Sequence, residues 1–116
     1  MHKFRELVVW QKAMDLTTQV YQYTENLPST EKFGLISQIR RSAVSICSNI
    51  AEGAGRNSKG EFIQFLGIAN GSAYELETQL ELLNRLKYLE DNVRANLFDE
   101  IEIVQKMLFN LMKSLK

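Results

Sequence analysis

The feature that most constrains the fold of this chain is the spacing of its apolar residues, which recur every three or four positions along almost the whole sequence. That spacing lines up apolar side chains along one side of an α-helix, whereas a half-buried strand needs alternation at every second position. Proline and glycine, which interrupt helices, are few: one proline and six glycines among 116 residues. The sequence therefore predicts long helices without strands, an all-α fold class.

Residue types that are typical of helix ends divide the chain into four helices. Pro28 favours a helix start, and Gly53 with Gly55 favours a helix end. Ser58, followed three residues later by Glu61, forms a capping box. The predicted helices are residues 6–25, a second helix capped by Ser29 or a neighbour with Glu31 in its first turn and ending near Ala54, a third over 59–87, and a fourth capped by Asp91 or Asn92 and ending near Lys116.

The first helix carries an unusually wide apolar surface. Two neighbouring lines of side chains follow it at steps of three and four, which indicates contacts with more than one neighbour. The first line is Leu7, Trp10, Met14, Thr17, Tyr21 and Thr24, and the second is Val9, Ala13, Leu16, Val20 and Tyr23. Because the connections between all four helices are short, consecutive helices are expected to be antiparallel. We predict one domain over 1–116, an up-down-up-down four-helix bundle.

Charge and composition exclude several classes of protein. Lysine plus arginine and aspartate plus glutamate balance at 14 each, so net charge does not steer the chain toward nucleic acid. The N-terminal residues contain no apolar run of signal-peptide length, and no stretch approaches the ~20 apolar residues of a membrane span. We expect a cytoplasmic protein without a membrane partner. Cys47, the only cysteine, is interpreted as a small buried hydrophobe.

The sequence offers no catalytic set. His2 is the only histidine, and there is no cluster of cysteine and histidine for zinc. The pairs Glu75 with Glu77 and Glu100 with Glu102 are two residues apart on a helix, so their carboxylates point in different directions. We predict that the protein is not an enzyme and has no catalytic residues, no metal site and no cofactor.

An unusual polar face runs along the predicted second helix. Serine and asparagine compete for backbone hydrogen bonds, so Ser42, Ser45, Ser48 and Asn49 inside a helix need a reason. Either the face is solvated, or it is a semi-buried network at a contact between helices or subunits. Its members share helical spacing: Gln38, Arg41, Ser45, Asn49 and Glu52.

The predicted third helix offers a surface that matches this polar face. Gly67 and Gly71 are four residues apart and are followed by Ser72, which lets another backbone approach closely. If the second and third helices turn near Asn57, Arg41 lies near Glu75 across the contact. We predict a partly buried Arg41–Glu75 ion pair, which sets register more than it adds stability.

Charges are unevenly distributed along the sequence. Arg40, Arg56 and Lys59 are candidate contacts for nucleic acid. The region from Glu90 to Glu102 is instead acidic. Complementary patches suit head-to-tail assembly into a ring, although two solvated helix faces explain the same charges.

Several motifs together resemble the 23S rRNA-intervening-sequence protein family of four-helix-bundle proteins. They cover roughly residues 4–90, and the combination is specific where no single motif is. The motifs are Phe4-x-x-Leu7-x-Val9-Trp10-x-x-Ala13, Pro28-x-x-Glu31-x-Phe33-Gly34-Leu35, Gln38-x-x-Arg41-x-x-x-Ser45, Asn49-x-Ala51-Glu52-Gly53, Phe62, and Ala69-x-Gly71-Ser72-x-x-Glu75-Leu76.

The resemblance implies an antiparallel four-helix bundle, relatives that form pentameric rings, and a biochemical role that is generally unassigned. It carries over Arg41, Ser45, Asn49, Glu52, Ser72 and Glu75 as structural or interface residues. The family is similar to accessory proteins of diversity-generating retroelements, which are basic pentamers that bind nucleic acid, but this chain has no net charge. The leading hypothesis is therefore a homo-oligomeric, ring-forming bundle that binds or scaffolds a macromolecule. The alternatives are a nucleic-acid-binding accessory factor and a purely protein-binding adaptor.

Overall fold

The computed structural model describes residues 2–28, 30 and 34–116. Over these residues the chain forms a 3₁₀ turn at Phe4–Glu6 and four helices: α1 (Val8–Thr24), α2 (Leu35–Ala54), α3 (Lys59–Arg85) and α4 (Asp91–Leu115). The described residues contain no strand. The prediction of an all-α four-helix bundle is confirmed.

Each helix turns one stripe of apolar side chains toward a shared core. Side chains spaced three and four apart are buried on every helix, which is the pattern that helix packing requires. The members of the core that are less than 1% exposed are Ala13, Leu16, Ile39, Ala43, Ile46, Ile50, Ala54, Leu66, Ala69, Ala73, Leu76, Leu80, Leu83, Val104 and Leu108.

The helix ends differ in part from the predicted ones. Ser58 accepts a hydrogen bond from the Glu61 backbone N–H at 3.1 Å, so the predicted cap of α3 is confirmed. Glu90, rather than Asp91 or Asn92, takes the cap position of α4, and its side chain makes no capping hydrogen bond. The first residue of α2 is Leu35, later than predicted, whereas Ser29 and Glu31 lie outside the described residues.

α3 is followed by a residue with a left-handed backbone conformation. Lys87 has a φ of +65°, and its N–H donates to the Asn84 carbonyl oxygen at 3.0 Å. The Tyr88 N–H donates to the Leu83 carbonyl oxygen, also at 3.0 Å. These two bonds satisfy carbonyl groups that the helix end leaves free, in the pattern known as a Schellman motif.

The bundle measures 43 × 24 × 20 Å along its principal axes. In the part of the chain that the structure describes, every helix is too short or too polar to cross a bilayer.

Candidate functional site

α2 and α3 approach each other closely at Gly53. A β-carbon at this position would lie 2.7 Å from Phe65 Cβ and 3.0 Å from Phe62 Cδ1, so a side chain has no room there. A β-carbon at Gly67 or Gly71 would instead meet nothing within 4 Å. The prediction that these two glycines admit a neighbouring helix is therefore wrong within the chain, because both face away from the buried stripe of α3.

A polar seam joins α2 to α3 above the core, and Ser42 is its central residue. Ser42 Oγ lies 2.9 Å from Glu75 Oε1 and 2.9 Å from Gln79 Oε1, and its proton can go to either oxygen. Ser42 and Gln79 are buried, whereas Glu75 is exposed. Seven-residue spacing from the buried Ser72 could have identified Gln79, which the sequence reasoning missed.

The seam continues one turn along α2. Ser45 and Ser72 hydroxyl oxygens lie 2.8 Å apart. Asn49 Nδ2 donates to the Ser45 carbonyl oxygen at 2.8 Å and to Ser45 Oγ at 3.1 Å. The contact between Ser45 and Ser72, together with those from Ser42 to Glu75 and Gln79, pairs later residues of α2 with earlier residues of α3, so the two helices are antiparallel.

The predicted Arg41–Glu75 ion pair is not formed. Arg41 is exposed, and the ion pairs among the described residues join Arg56 to Glu61, Arg85 to Glu81 and Lys106 to Glu102. Successive side chains on a helix point about 100° apart. Because Ser42 faces α3, Arg41 points toward solvent.

The seven predicted network residues thus separate into two groups. Ser45, Asn49, Ser72 and Glu75 take part in the seam. Gln38, Arg41 and Glu52 lie on the exposed surface of α2.

Arg40 acts within the chain, as a clamp on the end of α1. Its Nε donates to Thr24 Oγ1 at 2.9 Å, and its Nη2 donates to the Tyr21 carbonyl oxygen at 3.3 Å. The guanidinium carbon lies 4.6 Å from the centroid of the Tyr21 ring, which is a cation–π contact. A cation at a helix C-terminus is also favoured by the helix dipole.

The three predicted basic contacts do not form one patch. Arg56 lies over the Phe65 ring at 4.7 Å and reaches Glu61 at 4.0 Å, whereas Lys59 is exposed in the first turn of α3. Arg40 lies about 20 Å from the end of α2, at 1.5 Å of rise per residue. Arg40 is therefore separated from Arg56 and Lys59 along the length of α2.

A partly apolar surface, here called the α1–α2 face, lies where α1 meets α2. It is formed by Trp10, Met14 and Tyr21 from α1 with Val44 from α2, of which the last three are more than a third exposed. Beneath it, Thr17 Oγ1 lies 3.2 Å from the Ala43 carbonyl oxygen. The first of the two apolar lines on α1 therefore faces outward in part, while the second line packs into the core.

Cys47 lies under the same face. Its thiol is buried, and Sγ lies 3.3 Å from Thr17 Oγ1. Burial raises the pKa of the Cys47 thiol, and the hydrogen bond with Thr17 opposes that effect in part. The interpretation of Cys47 as a buried hydrophobe is confirmed.

A second surface, here called the α3 ridge, follows the outer side of α3. Tyr74 and Leu82 are its exposed apolar side chains, and an open groove of about 510 Å³ lies against it. Its polar residues are Glu75, Glu77, Thr78, Glu81 and Arg85. Glu81 Oε1 lies 3.6 Å from Arg85 Nε, and Glu77 Oε1 accepts a hydrogen bond from Gln105 Nε2 at 2.8 Å.

Chemistry-bearing side chains are dispersed over the bundle. Among residues 2–28, 30 and 34–116, no three His, Cys, Asp or Glu side chains gather where they could hold a metal ion. The surfaces that remain as candidates are those suited to contacts with another molecule: the polar seam, the α1–α2 face and the α3 ridge.

Comparison with known proteins relates the chain to one family. A family model described as 23S rRNA-intervening sequence protein matches residues 5–110. The chain is also similar to a crystal structure of a protein with unknown function from the S23 ribosomal protein family from Bacteroides thetaiotaomicron VPI-5482, at 30% identity and a TM-score of 0.84. That similarity covers 91% of this chain and 96% of the other. None of the curated proteins matches the chain.

Proposed function

We propose that this chain, which belongs to the 23S rRNA-intervening sequence protein family, is a non-enzymatic building block of a homo-oligomer that binds or scaffolds other macromolecules. The family membership confirms the resemblance found in the motifs. The B. thetaiotaomicron relative is of unknown function, so the proposal rests on the surfaces of this chain.

The observation that supports the proposal is that many large apolar side chains are exposed on the surface although the bundle has a buried core. The core residues are at most 8% exposed, whereas the large apolar side chains on the surface are 37–60% exposed. Exposed apolar side chains that adjoin one another on a small protein mark a contact with another molecule, and Tyr74 and Leu82 line one groove. The exposed side chains are Val8, Met14, Tyr21, Val44, Ile68, Tyr74, Leu82, Leu86, Ile103 and Phe109.

We propose five copies, the number that the family resemblance implies. Size exclusion with light scattering at micromolar concentration tests the assembly. The expected mass is five times the 13.4 kDa of one chain. A mass equal to another multiple of the chain mass would correct the copy number but still support an assembly. The mass of one chain would overturn the proposal.

A second candidate function, that of a nucleic-acid-binding accessory factor, is favoured by the excess of basic residues at one end of the bundle. Around the start of α1, the α2–α3 connection and the end of α4, basic residues outnumber acidic ones. The basic ones are Lys3, Arg5, Arg56, Lys59, Lys113 and Lys116, and the acidic ones are Glu6, Glu52 and Glu61. Arg40 does not lie at this end of the bundle. Nucleic acid bound here would therefore contact Arg56 and Lys59 but not Arg40.

A salt titration of binding to a labelled RNA duplex and a labelled DNA duplex tests the second candidate. Phosphate contacts make the logarithm of affinity fall with the logarithm of salt concentration. Lys59→Ala should reduce that slope, while Lys87→Ala at the opposite end of α3 should leave it unchanged. Undetectable binding of both duplexes at low salt would rule this candidate out.

A further inference from the structure

We infer that a groove between α3 and α4 binds the base of a nucleotide, either free or as one unit of a single strand. This α3–α4 groove has a volume of about 490 Å³ and is formed within one chain, so the inference does not depend on the proposed assembly. Two aromatic rings, three carboxamides and one amine line the groove: Tyr74, Phe109, Asn70, Gln105, Asn110 and Lys106.

The two aromatic side chains of the groove have uncovered rings. Tyr74 is 56% exposed and Phe109 is 60% exposed, more than any other phenylalanine, tyrosine or tryptophan among the described residues. An arginine lies over each of four other rings, those of Phe4, Tyr21, Phe65 and Phe98. In the described part of the chain, neither an arginine nor a second ring lies over Tyr74 or Phe109. A planar ring of a ligand can therefore stack on them, as the bases of single strands stack on aromatic side chains.

Asn70 provides an unmatched hydrogen-bond acceptor beside these rings. Its Oδ1 is buried and has no hydrogen-bond partner among the described residues, although buried polar groups are almost always paired. Asn70 as a whole is only partly buried and lines the groove. Because the terminal torsion of an asparagine side chain is broad, the oxygen can turn toward a donor in the groove. The exocyclic amino group of adenine, guanine or cytosine is such a donor.

The carboxamides favour a base over a tryptophan side chain, which also joins a planar ring to an N–H group. A carboxamide both donates and accepts hydrogen bonds, whereas the indole of tryptophan offers one donor and no acceptor. Gln105 Nε2 donates to Glu77 Oε1 at 2.8 Å, which leaves Gln105 Oε1 as an acceptor. Asn70 and Asn110 add N–H donors, which indole would leave unmatched. A base carries donors and acceptors on the same edge and can match both.

The groove has no strong excess of either charge. Lys106 lies in the lining and Lys113 lies about one turn beyond Phe109, while Glu77 and Glu102 are the acids that contact lining residues. Lys106 Nζ lies 3.0 Å from Glu102 Oε1, and exposed pairs of this kind contribute little to stability. Lys106 can therefore turn to one phosphate of a bound nucleotide. Recognition depends mainly on the ring and the edge of the base, so binding should depend only weakly on salt.

Two nucleotide probes test the site on the unmodified protein. Adenosine monophosphate is titrated by ligand-observed NMR, and a labelled single-stranded RNA is titrated by fluorescence anisotropy. Both should bind: an affinity for the monophosphate as high as that for the RNA would identify a free nucleotide as the ligand, and tighter binding of the RNA would identify one unit of a strand. If neither probe binds, the inference is overturned, while light scattering still decides on the proposed assembly.

N-acetyl-tryptophanamide serves as the competing ligand. It carries the indole ring with its one donor, so it should bind more weakly than adenosine monophosphate. Tighter binding of N-acetyl-tryptophanamide would show that the groove takes a protein side chain, and the inference would then be wrong.

Phe109→Ala removes one stacking surface and should weaken the binding of both nucleotide probes by about ten-fold. Leu86→Ala is the matched control, because Leu86 is 55% exposed and follows the last residue of α3, outside the groove. It should leave both affinities unchanged. Equal affinities for the unmodified and Phe109→Ala proteins would contradict the site.

Asn70→Leu separates recognition from a structural role. It removes an unmatched buried acceptor and keeps a side chain of similar size, so the melting temperature should stay the same or rise. Binding of the nucleotide probes should nevertheless weaken by about ten-fold, because the acceptor for the base is lost. A lower melting temperature with unchanged affinity would show that Asn70 serves the fold alone and would overturn its assignment.

Salt dependence separates the groove from the basic end of the bundle. For the RNA, the logarithm of affinity should fall against the logarithm of salt concentration with a slope no steeper than about −0.7, the value for one phosphate contact with a single strand. Lys59→Ala changes the basic end and should leave this slope as it is. A steeper slope that Lys59→Ala reduces, together with unchanged binding by Phe109→Ala, would assign the RNA to the basic end and overturn the inference.

Discussion

Ser42 Oγ lies 2.9 Å from Gln79 Oε1, and this contact joins two buried polar side chains of neighbouring helices. Ser42 is 2% exposed and Gln79 is 7% exposed, so neither can rely on bulk water for its hydrogen bonds. Buried polar groups are almost always hydrogen-bonded, and this pair satisfies that requirement within the chain. The contact explains why a serine is found in the middle of α2.

Ser42→Ala should destabilise the bundle by about 1–3 kcal/mol, because it leaves the Gln79 side chain buried without this partner. Arg41→Ala, one residue away, should change the free energy of unfolding by no more than about 0.5 kcal/mol, because Arg41 is exposed. Urea unfolding monitored by circular dichroism measures both. A larger loss for Arg41→Ala than for Ser42→Ala would contradict the assigned hydrogen bonds.

Gly53→Ala should destabilise the bundle by about 1–3 kcal/mol, although alanine favours helix formation more than glycine does. The new β-carbon would lie 2.7 Å from Phe65 Cβ, which forces α2 and α3 apart. Thermal unfolding measures the change.

Gly71→Ala is the matched control for Gly53→Ala. Its β-carbon meets nothing within 4 Å, so the helix propensity of alanine should stabilise the fold by about 1 kcal/mol. A loss of stability at Gly71 as large as the loss at Gly53 would show that the close approach has been placed wrongly.

Lys87→Gly should stabilise the protein by about 0.5–1 kcal/mol. Lys87 adopts a φ of +65°, a conformation that is unfavourable for a residue with a β-carbon and freely available to glycine. Lys87→Ala keeps the β-carbon and therefore serves as the control, with little or no gain expected. Equal melting temperatures for the glycine and alanine variants would indicate that no strain is relieved at this position.

Stability should fall at alkaline pH in a way that depends on Cys47. Burial raises the pKa of this thiol in the folded state above its ordinary value of 9.0. The unfolded chain therefore loses the thiol proton at a lower pH than the folded one, so the stabilisation is present below the ordinary pKa. It declines as pH rises from there toward the folded pKa.

Cys47→Ala removes this contribution and should show a smaller loss of stability between pH 7 and pH 10, measured by urea unfolding under reducing conditions. Burial and the charge of Glu90 also raise the pKa of Tyr23, but that effect is the same in both proteins and cancels in the comparison. Identical pH dependence with and without the thiol would contradict its assigned environment.

The helices could be predicted from the sequence because apolar periodicity and capping residues are local signals. The S-x-x-E pattern at Ser58 located the start of α3 without any knowledge of its neighbours. The left-handed end at Lys87 was not predicted, because nothing in a lysine favours that conformation. Its two backbone hydrogen bonds form only once α3 is in place.

The sequence predicted a polar seam between α2 and α3, but it assigned some of the wrong residues to it. Spacing identified a face with Ser45 and Asn49, but it did not settle the rotation of α2 to within one residue. A rotation of about 100° decides whether Arg41 or Ser42 faces α3. Tertiary packing decides that rotation, and contacts such as the tight fit of Gly53 against Phe62 and Phe65 are not revealed by periodicity.

Arg40 connects the end of α1 to α2 through two hydrogen bonds and a ring contact. This clamp fixes the α1–α2 pair at the same end of the bundle as the connecting residues 25–34. The connecting residues and the contacts of Arg40 thus both hold these two helices in register. We therefore expect short insertions in the connection to leave the alignment of the two helices unchanged.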